Sequence, residues 1–267
     1  MASKLNVSLR KLITKILLTR LVYFEETEST NEAAKALVLQ GEDEGLLVIS
    51  ERQLGGRGRH GRKWESPSGG IYLSIVLRPR ISNEFAPLMG LMVANATIGG
   101  INKAIEFRKG SSVNVRLKWP NDLMVEGRKL GGILGELVVR EDGSLMTIIG
   151  VGLNNDFSLD ELPEELQDTA TTLYRESGVT IQPAALVAQI VYCIDFRLQE
   201  IERIGSFIAT LDEFRRNCVT LGREVTIGLD AETVTGTAID IDENGSLVVE
   251  SEERIHIISA GEVIHLR

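Results

Sequence analysis

The chain has 267 residues, of which 43% are hydrophobic and 25% are charged, and its formal net charge is -9. A chain of this size and composition can bury a full core and can hold more than one domain. The acidic balance argues against general nucleic-acid binding, which usually needs a broad basic face. Its two cysteines, Cys193 and Cys218, have neither metal-ligand nor redox spacing, which fits a reducing compartment, and we expect the cytoplasm.

Residues 1–20 carry five Lys or Arg and no acid. Six apolar side chains share one helical stripe there: Leu5, Leu9, Leu12, Ile13, Ile16 and Leu17. Such a segment can lie on a membrane or act as a transit peptide, but we favour a helix that docks on its own domain. Lys15 and Arg20 interrupt the apolar run, and we expect no run as long as a membrane span and no membrane partner.

Residues 21–221 mix strand and helix patterns, which indicates one mixed α/β domain. Strands are predicted at 21–27, 46–50, 71–77, 114–119, 123–139 and 144–154. Helices are predicted at 29–41, at about 85–107, at 183–201 and in a segment that ends near residue 217.

Residues 222–267 consist of short strand patterns with turn residues between them, and they carry ten acids and three Lys or Arg. The "DENG" stretch is typical of a hairpin turn. This pattern predicts a small β-barrel of the SH3-like type. The fold class is therefore α+β, with a segment 1–20, a mixed-sheet domain 21–221 and a barrel 222–267.

The stretch from Arg52 to Lys63 holds four glycines and six basic side chains, and it contains no acid. Between Leu54 and Trp64 it has no apolar side chain to pin it to a core, so we expect it to be mobile without a ligand. Glycines let backbone N–H groups approach phosphate oxygens, and Arg57, Arg59 and Arg62 can supply bidentate charge. A polyphosphate site is one interpretation; a solvated surface loop and an RNA-binding segment are the others.

A second polar cluster, "LKWPNDLMVEGRKLGGILGE", places Lys118, Asn121, Asp122 and Lys129 within twelve residues. If "EG" forms a turn between paired strands, Asp122 and Lys129 can face one pocket. A surface salt bridge is the alternative interpretation. The glycine pair that follows Leu130 favours the pocket, because glycines inside a strand mark close approach of a ligand or of another backbone.

Four segments, in this order, resemble the biotin protein ligase family: "STNEAAK", "GGRGRHGRKWESPSGGIYLS", "KWPNDLMVEGRKLGGILGE" and "GVGLNND". The resemblance spans residues 21–267. It implies a catalytic domain of the class II synthetase/biotin ligase type and a reaction in two steps. Biotin and ATP give biotinyl-5′-AMP and pyrophosphate, and the biotinyl group then passes to a lysine of a biotin carboxyl carrier domain. The resemblance also implies Mg²⁺ with ATP and a homodimer.

The resemblance further implies roles for individual residues. The biotin contacts would be Ser29, Thr30, Asn31, Gln53, Gly56, Arg57, Gly58, Arg59, Tyr72, Lys129 and Gly132. The ATP contacts would be Arg57, Arg59, Arg62, Trp64, Asn121, Lys129 and Asn154. Lys129, Arg59 and Asp122 would be catalytic, with Asp122 supporting the lysine and, with a metal, the second step; the metal ligands are not identified.

Three further expectations concern DNA binding, the role of the barrel and the alternative functions. Only about 20 residues precede the catalytic domain, too few for a winged helix-turn-helix, so we expect the short form of the family without DNA binding. The barrel is expected to contact the carrier or to brace the nucleotide, without supplying a residue to the first step. A lipoate ligase or octanoyltransferase of related fold, and a non-enzymatic binding module, are the alternative functions.

Overall fold

The computed structural model describes residues 19–78, 82, 85–228, 233–252 and 254–265. The amphipathic stripe predicted near the start of the chain lies outside these residues. The strands of the larger domain are β1 (Arg20–Thr27), β2 (Leu46–Gln53), β3 (Ile71–Leu77), β4 (Arg116–Lys118), β5 (Asp122–Val125), β6 (Arg128–Val139) and β7 (Leu145–Leu153). Its helices are α1 (Thr30–Leu39), α2 (Leu88–Arg108), α3 (Glu164–Gln167), α4 (Leu173–Ser177), α5 (Pro183–Ile204) and α6 (Ile208–Asn217).

The seven strands form one sheet in the order β1-β2-β3-β7-β6-β5-β4. β1 and β2 are parallel, and all other neighbours are antiparallel. The predicted mixed sheet is therefore confirmed. Successive side chains of a strand point to opposite faces, so each face of this sheet has its own packing partner.

The two faces of the sheet bury different helices. On one face, Leu73 and Ile75 pack in the main core together with side chains of α2 and α5. On the other face, Val48, Val76 and Ile148 pack against Ala34 of α1. Among the residues that the structure describes, α1 is the helix that packs on this second face.

Helix α2 is long and apolar enough to cross a membrane by length and composition, contrary to the expectation that no run approaches such a length. Within the fold, 78% of its most apolar window is buried. Gly100 lets it approach α5 closely, because an added Cβ there would lie 2.6 Å from the Cα of Ile190. The helix therefore forms the core of the domain.

The C-terminal strands are β8 (Glu224–Gly228), β9 (Thr233–Ile241), β10 (Leu247–Glu250), β11 (Ile255–Ile258) and β12 (Glu262–His265). They form an antiparallel sheet in the order β11-β10-β9-β8-β12, and the predicted hairpin turn joins β9 to β10. Side chains of this sheet, including Ile227 and Val249, belong to the same core cluster as the larger domain.

Candidate functional site

A cavity of about 390 Å³ lies between the amino end of α1, the glycine-rich loop of residues 54–66, the β5–β6 hairpin and the C-terminal sheet. All the predicted site residues except two line it: Ser29, Thr30, Asn31, Gln53, Arg57, Gly58, Arg59, Arg62, Trp64, Asn121, Asp122, Lys129, Gly132 and Asn154. Residues up to 125 positions apart in the chain therefore meet at one place.

The two exceptions, Gly56 and Tyr72, do not line the cavity, and their contact with biotin stays a prediction. Tyr72 is buried under the segment that follows the loop, and its hydroxyl donates to the carbonyl of Pro67 at 2.7 Å. Burial raises its pKa. An added Cβ on Gly56 would lie 2.5 Å from the carbonyl oxygen of Trp64. Both residues support the conformation of the loop and of the segment after it without lining the cavity.

The glycine-rich loop is an irregular hairpin. Its two limbs meet at a bridge between Arg57 and Lys63, and the amide of Gly58 donates to the carbonyl of Arg62 at 2.7 Å. The Nη1 of Arg57 lies 2.7 Å from Glu32 Oε1, an ion pair that joins the loop to the first turn of α1. The mobility predicted for this loop stays a prediction.

Arg59 reaches from the loop to the C-terminal sheet, where its Nη1 donates to the carbonyl of Gly261 at 3.3 Å. Burial lowers the pKa of this guanidinium; the carboxylate of Asp122 opposes that effect, and the charge of Arg62 adds to it. Arg59 is thus a partly desolvated cation that shares the cavity with Asp122.

Lys129 and Asp122 face each other in the cavity, with Nζ and Oδ1 2.6 Å apart. The predicted "EG" turn joins their strands, and both turn residues have positive φ, 47° at Glu126 and 80° at Gly127. The Lys129 Nζ also lies 5.4 Å from the centre of the Trp64 ring, within range of a cation–π contact. The lysine is therefore held between a carboxylate and an aromatic face.

Hydrogen bonds hold the amino end of α1 in place, and most of the polar side chains there take part in them. Gln53 accepts from the amide of Thr30 at 2.8 Å and donates to Ser66 Oγ at 3.1 Å. Asn31 donates to Glu136 Oε2 at 2.5 Å and accepts from Ser74 Oγ at 2.6 Å. These contacts fix Thr30, Asn31 and Gln53 in the absence of a ligand.

Ser29 differs from its two neighbours. It occupies the N-cap position of α1, yet its side chain makes no capping hydrogen bond. The residue is buried and lines the cavity. Its hydroxyl is therefore available to a ligand at this end.

Gly150 and Gly152 of β7 form the floor of the cavity, and neither was among the predicted site residues. An added Cβ on Gly150 would lie 2.4 Å from Asn31 Oδ1, and one on Gly152 would lie 2.7 Å from the Trp64 ring. The alternating glycines in "GVGLNND" were the available signal, because alternate residues of a strand share a face. Ser74 and Glu136 were missed as well, and no local pattern marks them.

The two predicted ATP-binding asparagines use their amide groups on the protein backbone. Asn121 Nδ2 donates to the carbonyl of Ile133 at 2.8 Å. Asn154 Nδ2 donates to the carbonyls of Thr171, at 3.0 Å, and of Lys129, at 3.3 Å. Both residues line the cavity, but these bonds make them supports of its walls.

The C-terminal sheet contributes Gly261 and Val263 to the cavity wall. This part of the chain therefore borders the cavity, and the expectation that it supplies no residue to the first step stays a prediction. The β4–β5 turn is also tied to it: the amide of Trp119 donates to Thr220 Oγ1, and the indole N–H of Trp119 donates to the carbonyl of Gly245, both at 3.0 Å.

Comparison with known proteins identifies the family of this chain. Residues 23–154 match the Biotin/lipoate A/B protein ligase family, and residues 220–266 match the Biotin protein ligase C terminal domain. The bifunctional ligase/repressor BirA of Bacillus spizizenii is 32% identical over 251 residues, which are 94% of this chain and 75% of that protein. The biotin–[acetyl-CoA-carboxylase] ligase of Mycobacterium tuberculosis is 29% identical over 245 residues, 91% of this chain and 87% of that protein.

Comparison with a solved structure supports the same family. The biotin protein ligase of Aquifex aeolicus in complex with biotin and ATP superimposes with a TM-score of 0.76 at 30% identity, covering 94% of this chain and all of that one. The chain belongs to the biotin protein ligase family.

Proposed function

We propose that one cavity of this biotin ligase, the one described above, carries out both half-reactions, the adenylation of biotin by ATP and the transfer of the biotinyl group to a lysine of a biotin carboxyl carrier domain. The observation that carries the proposal is the Lys129–Asp122 pair on the floor of a cavity that also contains the loop arginines and the amino end of α1. Adenylation brings a carboxylate and a triphosphate together, and fixed cations offset the repulsion between these anions.

The biotin end of the cavity is assigned to Ser29, Thr30, Asn31 and Gln53. The hydroxyl of Ser29 offers both a donor and an acceptor to the ureido ring. Gly150 and Gly152 let the side chains of Asn31 and Trp64 lie directly against β7. Thr30, Asn31 and Gln53 keep this end in shape through their bonds to Ser66, Ser74 and Glu136.

The phosphate end is assigned to Arg57, Arg59, Arg62 and Lys129. Arg57 would exchange its partner Glu32 for a phosphate, and Lys129 would move between Asp122 and the charge that develops on the α-phosphate. In the described part of the chain, no three His, Cys, Asp or Glu side chains group to hold a metal. Mg²⁺ would therefore arrive on the phosphates of ATP, with Asp122 the carboxylate in reach, and would neutralise phosphate charge.

The adenine end is assigned to Trp64 and to the apolar side chains of Leu162, Leu166 and Ala170, which line the same wall. An aromatic ring next to a cation is a suitable platform for a purine. Asn154 is proposed to hold this wall in place through the backbone of Thr171.

The carrier domain and a second copy are the proposed macromolecular partners. We assign the C-terminal sheet to the SH3-like barrel type and infer that it contacts the carrier beside the cavity. The acidic net charge supports a protein partner over nucleic acid. The two free, buried cysteines support a cytoplasmic location.

The proposed homodimer would use the outer edge of β6. Beyond Gly132, none of the described strands pairs with that edge, and Leu137 and Val139 are 55% and 63% exposed there. An unpaired strand edge with apolar side chains is a template for pairing with another chain. Sedimentation of wild type and Leu137→Lys would test this, with loss of the dimer expected.

The decisive experiment is ATP–pyrophosphate exchange that depends on biotin, followed by transfer of labelled biotin or labelled lipoate to a carrier domain. Exchange and transfer are expected with biotin alone. Exchange with lipoate would support the related lipoate ligase, which is not favoured because residues 220–266 match a biotin ligase domain. Absence of exchange with either acid would leave a binding module.

A further inference from the structure

The main chain of Lys129 is held by a segment that runs beside it. Lys129 forms a parallel bridge with Ala170; its amide donates to the carbonyl of Thr169 at 2.8 Å, and its carbonyl accepts from the amide of Thr171 at 3.0 Å. Asn154 Nδ2 donates to two carbonyls, those of Lys129 and Thr171, and so fastens the strand to the segment. The position of the lysine therefore depends on where residues 169–171 lie.

A second set of bonds closes a ring behind this segment. The carboxylate of Glu176, on α4, accepts hydrogen bonds from the hydroxyl of Thr171 and from Arg128 Nη2, the latter at 3.0 Å. Arg128 directly precedes Lys129, and Thr171 binds the carbonyl of Lys129. The ring thus runs from Arg128 through Glu176 and Thr171 back to Lys129.

The three side chains that link the ring, those of Arg128, Thr171 and Glu176, are at least partly buried and lie outside the cavity. The side chains of Glu176 and Arg128 are 12% and 29% exposed, and neither residue lines the cavity, nor does Thr171. A hydrogen bond to a charged group in such a place contributes more than one at the open surface, because water competes less for it.

The strand needs an anchor at this point. The register of β5 against β6 shifts between Leu123 and Met124, beside the pairing of Met124 with Lys129, and the turn just before has two residues with positive φ. A bulge disrupts the ladder locally, so ladder bonds alone fix Lys129 less firmly than they fix residues farther along β6.

We propose that Glu176 is a positioning residue for the adenylation step, which acts through Arg128 and Thr171 to hold the backbone of Lys129 where its ammonium reaches the reacting groups. The inference rests on the role proposed above for Lys129. A displacement of about 1 Å at a reacting group can cost about 100-fold in rate, so a residue outside the cavity can control the reaction.

The test uses the full chain and four variants: Glu176→Ala, Glu176→Gln, Thr171→Val and the control Arg175→Ala, an exposed neighbour on the same helix. Each is checked by a cooperative melt, by biotin affinity and by single-turnover adenylation. Glu176→Ala and Thr171→Val are expected to lower the adenylation rate about ten-fold or more and to change biotin affinity less than about two-fold. Glu176→Gln should retain most of the rate, because its Oε1 can accept both hydrogen bonds.

A double-mutant cycle with Lys129→Ala distinguishes positioning from general damage to the structure. If Glu176 acts through Lys129, the double variant adenylates biotin no more slowly than Lys129→Ala alone. Effects that multiply, or a wild-type rate in folded Glu176→Ala, would overturn the inference. If Glu176→Ala does not fold, Thr171→Val decides alone, and an unchanged rate overturns it. A wild-type rate in Lys129→Ala would instead refute the proposed function of the lysine.

Discussion

Lys129 Nζ and Asp122 Oδ1 lie 2.6 Å apart across the β5–β6 hairpin, and both side chains are partly open to the same cavity, at 38% and 24% exposure. An ion pair with this exposure contributes little to stability. Its carboxylate can instead hold the ammonium in place until a more anionic partner arrives. The pair is therefore best tested by kinetics.

Replacement of Lys129 by Ala should lower adenylation far more than biotin binding. The expected loss in single-turnover rate is about 10²- to 10³-fold, the range for removing one preorganised donor to developing charge. Rapid-quench measurement of biotinyl-5′-AMP gives the rate, and calorimetry gives the biotin affinity. Lys118 lines the cavity, so the matched control is Lys103→Ala on the exposed surface of α2. A near wild-type adenylation rate would remove Lys129 from the mechanism.

Replacement of Arg59 by Ala should speed the escape of biotinyl-5′-AMP. The side chain joins the loop to the carbonyl of Gly261, and its loss frees the loop from the C-terminal sheet. Release should be faster by about ten-fold, the factor that corresponds to one charged hydrogen bond of about 1.5 kcal/mol. A preformed complex is chased with unlabelled biotin, with Arg108→Ala as the exposed control. Equal release from both variants would show that the loop does not retain the intermediate.

Alanine substitutions at Gly150 and Gly152 of β7 form a matched pair of variants that tests the two ends of the cavity separately. Gly150→Ala collides with Asn31 and should raise the KM for biotin, whereas Gly152→Ala collides with Trp64 and should raise the KM for ATP. Overpacking costs about 1–3 kcal/mol, so a change of about ten-fold in the affected constant is expected. Gly135→Ala serves as control, because its nearest neighbour is the end of a flexible side chain, Ile149 Cδ1 at 3.3 Å. The same effect on both constants in both variants would contradict the assignment of the two ends.

Stability should fall as the pH drops from 7 to 5, in part because of His265. Burial, together with the smaller effects of the charges of Lys118 and Arg223, lowers the pKa of His265 from 6.5 to about 4. Above pH 6.5 both the folded and the unfolded forms are neutral at this site and stability is unaffected. As the pH falls from 6.5 towards 4, only the unfolded chain takes up the proton, so the folded state loses stability.

The comparison that isolates this histidine is wild type against His265→Gln, which can still bond Thr220 Oγ1. Thermal melts at pH 7, 6 and 5 should show a larger fall in Tm for wild type. Parallel curves for the two proteins would place the pH dependence elsewhere.

The sequence predicts local features well because their signals are local. The hairpin that carries Asp122 and Lys129 follows from two apolar strands around "EG", and the strand patterns of residues 222–267 follow from their turn residues. The order of these strands does not follow from the patterns: β11 and β12 are neighbours in the chain, yet they lie at opposite ends of the sheet order. Strand order depends on tertiary packing, which no short window contains.

The site itself is only partly local. The arginine loop and the lysine strand have recognisable patterns, but Glu136 meets Asn31 across 105 positions and Gly261 meets Arg59 across 202. Such contacts arise from the sheet order and from domain docking, so residue spacing does not predict them. A motif also does not tell how deeply a side chain is buried. The position of Tyr72 in its motif suggested that it faces the pocket, whereas the segment around Pro67 covers it.

The junction of the two sheets limits how this enzyme can be re-engineered. The amide of Val219 donates to the carbonyl of Leu117 at 2.7 Å, and the bonds from Trp119 to Thr220 and Gly245 anchor the turn that precedes Asp122. A chimera that exchanged the C-terminal part at residue 221 would keep Val219 and Thr220 but bring in a foreign partner for the indole of Trp119 and for Arg59. If the C-terminal sheet contacts the carrier as proposed, carrier preference could be exchanged between ligases only together with the β4–β5 turn and the glycine-rich loop.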